Sequence, residues 1–497
     1  MYVCFPMKSK QFSYLILLLA LFTSSLMHSP HFRKDIMSFH SWRQTQTQAT
    51  INNFYEEDSN ILNPRRLARG AGDGIKRMEF PLMQWLIASS YHLFGQSVMV
   101  SRLFMFLLSL LGILGMYRLL LALFSKPLLA AIGAWAFTFS PSFYFYSINP
   151  QPDLMALSAT LWGAAFFFDW HRQQKAMQLW LAALFLAIGT LCKLPFGAYY
   201  LLPMVYFLKQ WRNSIKPKNL EAAAVFLVFA LFPLAWYLWV IPQWDDNPII
   251  WGMLENQSAF SKLLYYLQFN LISTLPELLL NYGSVAFFLA GFYFMKKRKA
   301  FQNNRFDPLL GVSITVLAYY LFEANAIAQV HDYYLFPFLP LLFILVGYGA
   351  YHLLQQQAQF WRYFVGFALL ILPLTCYLRM KDRWNPDSPG FNPDLLTYKK
   401  ELATAVPAEA LVISGYDVSS CIFLYYIDKK GWSFTDGHLS GAQLDERIAQ
   451  GAEYLYIDEA SYTERAEVQA RLDTLVGEYG SIQIYRLKGE GKGNKLK

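Results

Sequence analysis

The stretch that decides the fold spans residues 28–97 and contains His40-Ser-Trp-Arg-Gln-Thr-Gln-Thr47 and Glu79-Phe-Pro-Leu-Met-Gln-Trp85. Hydrophobic runs near 11–27 and 98–124 bracket it. Neighbouring membrane spans are usually joined by short loops. This join is long, polar and basic, with Arg33, Arg43, Arg65, Arg66, Arg69 and Arg77. Cationic, amide and aromatic side chains held against a bilayer are what an anionic, lipid-linked substrate requires. The stretch therefore points to chemistry at a membrane surface, and the remainder of the chain has to say which chemistry.

The 497 residues are 55% hydrophobic and 18% aromatic but only 15% charged, whereas a soluble globular chain is about a quarter charged. That balance describes a polytopic membrane protein. The net charge of +8 does not mark a nucleic-acid binder, because the basic residues sit in loops between spans and not in one patch. Cys4, Cys192, Cys376 and Cys421 are scattered without a CxxC pair, which argues against a disulfide framework or a zinc site. Lys8 and Lys10 precede an apolar run from Phe12 to Leu26 in the manner of a signal peptide. No small-x-small cleavage site follows cleanly, so the run reads as a retained first span.

About eleven segments look long and apolar enough to cross hydrocarbon of about 30 Å, the last of them near 361–379. Backbone groups in lipid must be satisfied internally, so these segments are expected to be helices. Lys126, Arg172, Lys175, Lys209, Arg212 and Lys296–Lys299 fall in short loops on one side, while Asn149–Pro152 and Glu323–Asp332 on the other carry no Lys or Arg. The positive-inside rule then places the N-terminus in the cytoplasm and the first long loop outside. Beyond Arg379 the apolar runs stop. Leu411-Val-Ile-Ser-Gly415 and Tyr454-Leu-Tyr-Ile-Asp458 read as strands, and Leu444–Gln450 and Glu464–Val476 as helices. The expected organisation is mainly α: a multi-span domain over 1–382 that includes the first loop, and a small extracytoplasmic α/β domain over 383–497.

Polar residues gather at the outer face. Asp153 follows Pro150-Gln-Pro152, Lys193 lies in Leu191-Cys-Lys-Leu-Pro195, and His331-Asp-Tyr-Tyr334 opens a later span. Each has a plain explanation. Asp153 could cap its helix, Lys193 and Arg102 could snorkel to headgroups, and His331 to Tyr334 could form an interfacial belt. Ionisable groups near bilayer depth are costly, however, and their convergence on one face marks a site.

Glu79-Phe-Pro-Leu-Met-Gln-Trp-Leu-Ile-Ala-Ser-Ser-Tyr-His-Leu-Phe-Gly95 with Ser101-Arg-Leu103 resembles the first-loop signature of family 39 glycosyltransferases. That family has the GT-C fold and includes protein O-mannosyltransferases and aminoarabinose transferases. His40-Ser-Trp-Arg-Gln44 with Asn52-Asn-Phe54 is similar to a bacterial branch, and Asp153, Lys193 and His331–Tyr334 fall where members carry similar residues. The resemblance covers about residues 10 to 380 in layout and is most specific in the first loop. It implies a GT-C bundle in the bacterial inner membrane that takes a sugar from a polyprenyl-phosphate donor on the periplasmic side.

Such a transfer needs positive charge for the departing phosphate and a base for the acceptor hydroxyl. Arg43, Arg102 and Lys193 suit the first task, Arg especially through its bidentate donors. Asp153, Glu79 and His40 suit the second, and Trp42, Gln44, His331, Asp332, Tyr333 and Tyr334 could bind the sugar or line the lipid path. Many family members carry an acidic pair early in the first loop. Aligned on Asn52-Asn-Phe54 that pair becomes Arg43-Gln44, and a slightly later acid becomes Gln46. The base would then be Glu79 or Asp153, since the nearby carboxylates Glu56-Glu-Asp58 read as the solvated face of an amphipathic helix. A divalent cation on Glu79, Asp153 and His331 would suit the residue types, although nothing in the spacing selects it. Two other classes stay open: a lipid-linked-sugar transporter or flippase, and a non-catalytic assembly subunit that has lost its acid. The acceptor is open among polysaccharide, glycolipid and protein.

Overall fold

The computed structural model describes residues 9–214, 216–244, 260–299, 306–328, 331–435, 437 and 439–489. Packing divides the chain into two compact units. The first comprises Met1–Phe32, Met78–Met83 and Arg102–Lys381, and its described residues form helices joined by turns and loops. Among the described residues, five helices are long and apolar enough to cross a membrane: Lys10–His31, Val98–Phe124, Pro217–Gln243, Asp332–Leu354 and Gln359–Trp384. Phe260–Leu279 and Tyr282–Lys297, bent by 101°, make a sixth if the pair counts as one span.

Against about eleven expected spans, three further apolar helices are shorter, Pro127–Thr138, Ala176–Cys192 and Asp307–Phe322, and proline lies just beyond the ends of the first two. The helix Pro127–Thr138 stops and resumes as Pro141–Tyr146, and Ala176–Cys192 gives way at Pro195 to a 3-10 turn, Leu194–Tyr200, before Leu201–Asn213. Pro195 follows Lys193 by two residues, so the helix must end where the lysine sits. The 101° bend is held by Asn281, whose φ of 56° turns the chain. Its Nδ2 donates to the carbonyls of Phe139 and Leu372, both at 3.0 Å.

Small residues bring the helices of this unit together, as is common where lipid supplies no hydrophobic drive for helix association. A Cβ on Gly349 would overlap the carbonyl oxygen of Phe287, and one on Gly291 would overlap that of Leu345. Gly349→Leu should therefore force Leu339–Leu354 away from Val285–Lys297 and lower stability by about 1–3 kcal/mol, the usual range for overpacking. Thermal unfolding of the purified protein in detergent measures this.

The second unit comprises Arg33–Arg77, Gln84–Ser101 and Asp382–Lys497. Its centre is a five-stranded sheet of β1 (Leu411–Gly415), β2 (Lys430–Ser433), β3 (Tyr454–Ile457), β4 (Leu472–Tyr479) and β5 (Ile482–Leu487), in the order β2-β1-β3-β5-β4. β1 pairs in parallel with β2 and β3, and β5 runs antiparallel to β3 and β4. Successive strand residues point to opposite faces, and both faces are covered. Val412 and Tyr456 join one apolar cluster with Ile36, Ala49 and Tyr426, while Ile413, Leu455 and Ile457 join another with Phe434 and Leu444. The helix Ser41–Glu56 belongs to this unit.

Two expectations for this part are corrected. Glu464–Val476 is not one helix: short turns at Ala460–Thr463 and Ala466–Gln469 precede β4. Gly480, at φ +62°, makes with Ser481 the hairpin that returns the chain as β5. Glu57, which the helical pattern placed on a solvated face, is instead held by Arg69 at 2.9 Å, Lys430 at 2.8 Å and Arg65 at 3.4 Å. Burial pushes its pKa up, but the hydrogen bonds from Arg69 and Lys430 outweigh burial and hold the carboxyl below its ordinary value of 4.5. A depressed folded-state pKa means that the charge stabilises the protein above the ordinary value and that this contribution disappears as pH falls through the folded pKa. Glu57→Gln should thus cost about 1–2 kcal/mol at pH 7 and flatten the acid limb of stability against pH. Thermal unfolding of both proteins between pH 3 and pH 7 would show it, and parallel curves would refute it.

Candidate active site

Within the first unit the chain places Lys193 among carboxylates. Lys193 follows the last residue of Ala176–Cys192 in an extended conformation, φ −160° and ψ 113°. Its Nζ lies 3.7 Å from Glu79 Oε1 and 3.7 Å from Asp153 Oδ1. It also stands 5.4 Å from the centre of the Tyr334 ring. The three charged side chains are 14%, 10% and 3% exposed, in the order Lys193, Glu79, Asp153. Snorkelling to headgroups does not describe a lysine so placed. The separations exceed the roughly 2.7–2.9 Å of a charge-assisted hydrogen bond, so these are ion pairs and not tight clasps.

The backbone around each partner is pinned. Asp153 lies in the first turn of Pro152–Gln173, where the helix dipole favours the anion. Glu79 is fixed on both sides: Phe80 N donates to Leu191 O at 3.0 Å, and Trp236 Nε1 donates to Met78 O at 3.0 Å. The Phe80 ring meets the Trp236 ring edge-on at 4.9 Å. Leu191 O also accepts from Tyr237 OH at 3.0 Å. Residues 79, 153 and 193, far apart in sequence, are thereby brought to one point.

The His331–Tyr334 motif divides. Tyr334 faces Lys193, and the His331 ring lies 5.6 Å from the Tyr334 ring, with its Nδ1 2.6 Å from the Ala326 carbonyl. Asp332 turns inward and accepts from Tyr146 OH at 2.6 Å and Ser142 Oγ at 2.7 Å. Tyr333 is 1% exposed and packs edge-on against Tyr146. Asp332 and Tyr333 thus bind the motif to Pro141–Tyr146.

Two groups went unnoticed in the sequence, Glu323 beside Lys193 and Gln151 two residues before Asp153. Glu323 follows the helix Asp307–Phe322, and burial pushes its carboxyl up to about 7 against the opposing charge of Lys193. A carboxyl tuned near neutral beside a specific charge is a functional-site marker. Gln151 is fully buried, and its side-chain amide has no hydrogen-bond partner among the described residues. The signal for both was available: polar residues in the short joins Asn149–Pro152 and Glu323–Asp332. Among the described residues no three His, Cys, Asp or Glu side chains are grouped to hold a metal ion, so Glu79, Asp153 and His331 are not gathered around one.

Arg102 is fully buried and donates to Asn149 Oδ1 at 2.5 Å and Ile148 O at 3.3 Å. Those residues lead directly into Asp153. Arg102 is therefore placed to order the segment that presents Asp153. Arg102→Ala should reduce turnover by about 100-fold, the scale of an ångström-level misplacement, and leave the KM for the donor nearly unchanged. A phosphate-binding role would instead raise KM, so steady-state kinetics separates the two.

The remaining sequence-selected residues belong to the second unit. His40 precedes the helix Ser41–Glu56 in a left-handed conformation and is buried. Gln44 is fully buried, with Nε2 donating to Phe39 O at 2.9 Å. Trp42 packs against the apolar cluster, and its carbonyl accepts from Cys421 Sγ at 3.1 Å. Arg43 Nη1 donates to Gln46 Oε1 at 2.8 Å. Two of the positions that correspond to acids in relatives are thus bonded to each other.

The family model described as dolichyl-phosphate-mannose-protein mannosyltransferase matches residues 79–237, a stretch that includes Glu79, Asp153 and Lys193. No curated protein matches the sequence. Among solved structures, ArnT from Cupriavidus metallidurans in the apo state is similar with a TM-score of 0.65 at 14% identity, covering 96% of this chain and 98% of that one. The same protein bound to undecaprenyl phosphate gives 0.63 at 13% identity, with coverage of 96% and 98%. The oligosaccharyltransferase AglB from Archaeoglobus fulgidus, in complex with an inhibitory peptide and a dolichol-phosphate, gives 0.56 at 13% identity over 90% of this chain and 69% of that one. These are GT-C glycosyltransferases, and the chain is an integral membrane protein with the GT-C fold.

Proposed function

We propose that the protein transfers a sugar from a polyprenyl-phosphate donor to an acceptor on the outer side of a bacterial inner membrane, by a single displacement at the Lys193 cluster. The acceptor hydroxyl gives its proton to one of the two carboxylates paired with Lys193, Asp153 or Glu79, and its oxygen bonds to the anomeric carbon. The bond from that carbon to the phosphate oxygen breaks, and the electron pair leaves with the phosphate, whose charge Lys193 receives. The other carboxylate holds the ammonium in place. Tyr334, against Lys193, is positioned to meet the same phosphate or the sugar ring.

The observation that carries this reading is one lysine equidistant, at 3.7 Å, from two carboxylates, Asp153 buried and Glu79 partly so. It brings two carboxylates and one cation together in the membrane unit, which supports assigning them the base and the leaving-group contact. The undecaprenyl phosphate in the similar ArnT structure and the dolichol-phosphate in AglB support a lipid phosphate as the carrier. The distribution of Lys and Arg among the short loops supports an outward-facing site. To test the function, the purified protein is incubated with a panel of polyprenyl-phosphate sugars and released polyprenyl phosphate is measured. At least one donor should be consumed, in an amount that rises with enzyme. No release from any donor, with or without membrane extract as acceptor source, would leave the binding or assembly role in its place.

A further inference from the structure

Lys296, Lys297, Arg298 and Lys299 are consecutive and exposed. Such a run is first of all an orientation signal, and the dipole of the helix Val285–Lys297 accounts for cations in its last turn. Tertiary structure adds more. Arg298 and Lys126, from separate joins, both lie within electrostatic reach of the His352 ring. Ser125, next to Lys126, accepts from Arg172 Nη1 at 3.0 Å. Arg172 and Arg118 in turn share one carboxylate, that of Asp169, at 2.9 Å and 2.5 Å. Among the described residues no other acid is paired with any of these cations.

Charge left unbalanced in this way attracts an anion, and depth selects the anion's carrier. Lys126 follows the end of the span Val98–Phe124 by two residues. On Val285–Lys297, the exposed Leu289, Phe292 and Tyr293 share one helix face and lead up to Lys296 and Lys297. Lys297 Nζ donates to Tyr293 OH at 3.3 Å, which puts an aromatic ring and a cation where hydrocarbon gives way to headgroups. A soluble phosphate would use the cations alone. An anionic phospholipid uses both the cations and the apolar face beneath them.

We propose that this end of the first unit selects an anionic phospholipid of the phosphatidylglycerol type, its phosphodiester held by Lys126 and Lys296–Lys299 and its acyl chains laid along Leu289, Phe292 and Tyr293. The inference does not depend on the transfer reading, and its test contains no donor. Full-length protein is reconstituted in phosphatidylcholine, and electron paramagnetic resonance measures how much spin-labelled phosphatidylglycerol or phosphatidylcholine it immobilises. At low salt the anionic lipid should be held about fivefold more tightly, the worth of one lysine or arginine at a membrane surface. Raising the salt to about 0.5 M should erase most of that preference. Lys296→Gln with Lys297→Gln, Arg298→Gln and Lys299→Gln should do the same, whereas Lys296→Arg with Lys297→Arg and Lys299→Arg should keep the preference. Lys216→Gln with Lys218→Gln, at the start of the helix Pro217–Val240, should leave it unchanged. Equal holding of the two lipids by the wild type would overturn the proposal and leave the cations to an acidic protein segment. A preference undiminished in the quadruple variant would overturn it too, as would displacement of the lipid by glycerol 3-phosphate at constant ionic strength.

Discussion

Converting both carboxylates beside Lys193 to amides, Asp153→Asn with Glu79→Gln, is expected to lower the rate of sugar transfer by at least about 1,000-fold, the upper range for loss of general-base catalysis. The single variants should differ. The residue that accepts the proton should account for nearly the whole loss, and the other, which only steadies the lysine 3.7 Å away, for about tenfold. Amides keep the shape of the acids and one of their two acceptor oxygens, so folded yield and helicity should match the wild type. Turnover of a polyprenyl-phosphate sugar by the four proteins gives the answer. Full activity in the double variant would remove both residues from the mechanism. Release of donor phosphate by none of the four would favour the subunit that has lost its acid, a reading to which the Arg43–Gln46 hydrogen bond gives some weight.

Lys193→Met should reduce turnover by about 100- to 1,000-fold, as removal of one preorganised group facing a developing anion commonly does. Methionine has similar length and no charge. The change also leaves Glu79 and Asp153 without the cation between them, and Lys193→Arg should restore part of the activity because it restores the charge. If Lys193 acts on the leaving phosphate, donors with better leaving groups should be less affected by the substitution. Equal losses across a leaving-group series would show that its role is to shape the carboxylate pair.

How much of this could be read beforehand depended on the range of the contacts. Lys193 and Asp153 stand within two residues of prolines that end or begin helices, a local signal, and charge at such depth is rare enough to select them. Pro195 and Pro152 also set the helix limits, which is why the ends of these helices were legible. The meeting of Glu79 with residues 153 and 193 follows from tertiary bonds such as Phe80 N to Leu191 O, which no periodicity reveals. The same holds for Arg102, whose partner Asn149 lies 47 residues away. A buried arginine reads in sequence like a snorkelling one. Glu57 looked solvated because Lys430 arrives from β2. β4 was read as helix because its Leu, Val and Glu residues suit either period, and only the Gly480-Ser481 turn marks the hairpin. The α/β character of the C-terminal segment was legible from the apolar runs of β1 and β3, which are buried on both faces.

The central claim is a single displacement at one cluster, and the anomeric configuration of the transferred sugar tests it most directly. With the donor identified from the polyprenyl-phosphate panel, ¹H NMR of the first-formed product reports whether the bond at the anomeric carbon has the opposite configuration to that in the donor. Attack by the acceptor from the face opposite the departing phosphate predicts inversion in every product molecule. A product of retained configuration would require a covalent or front-face route and would contradict the account.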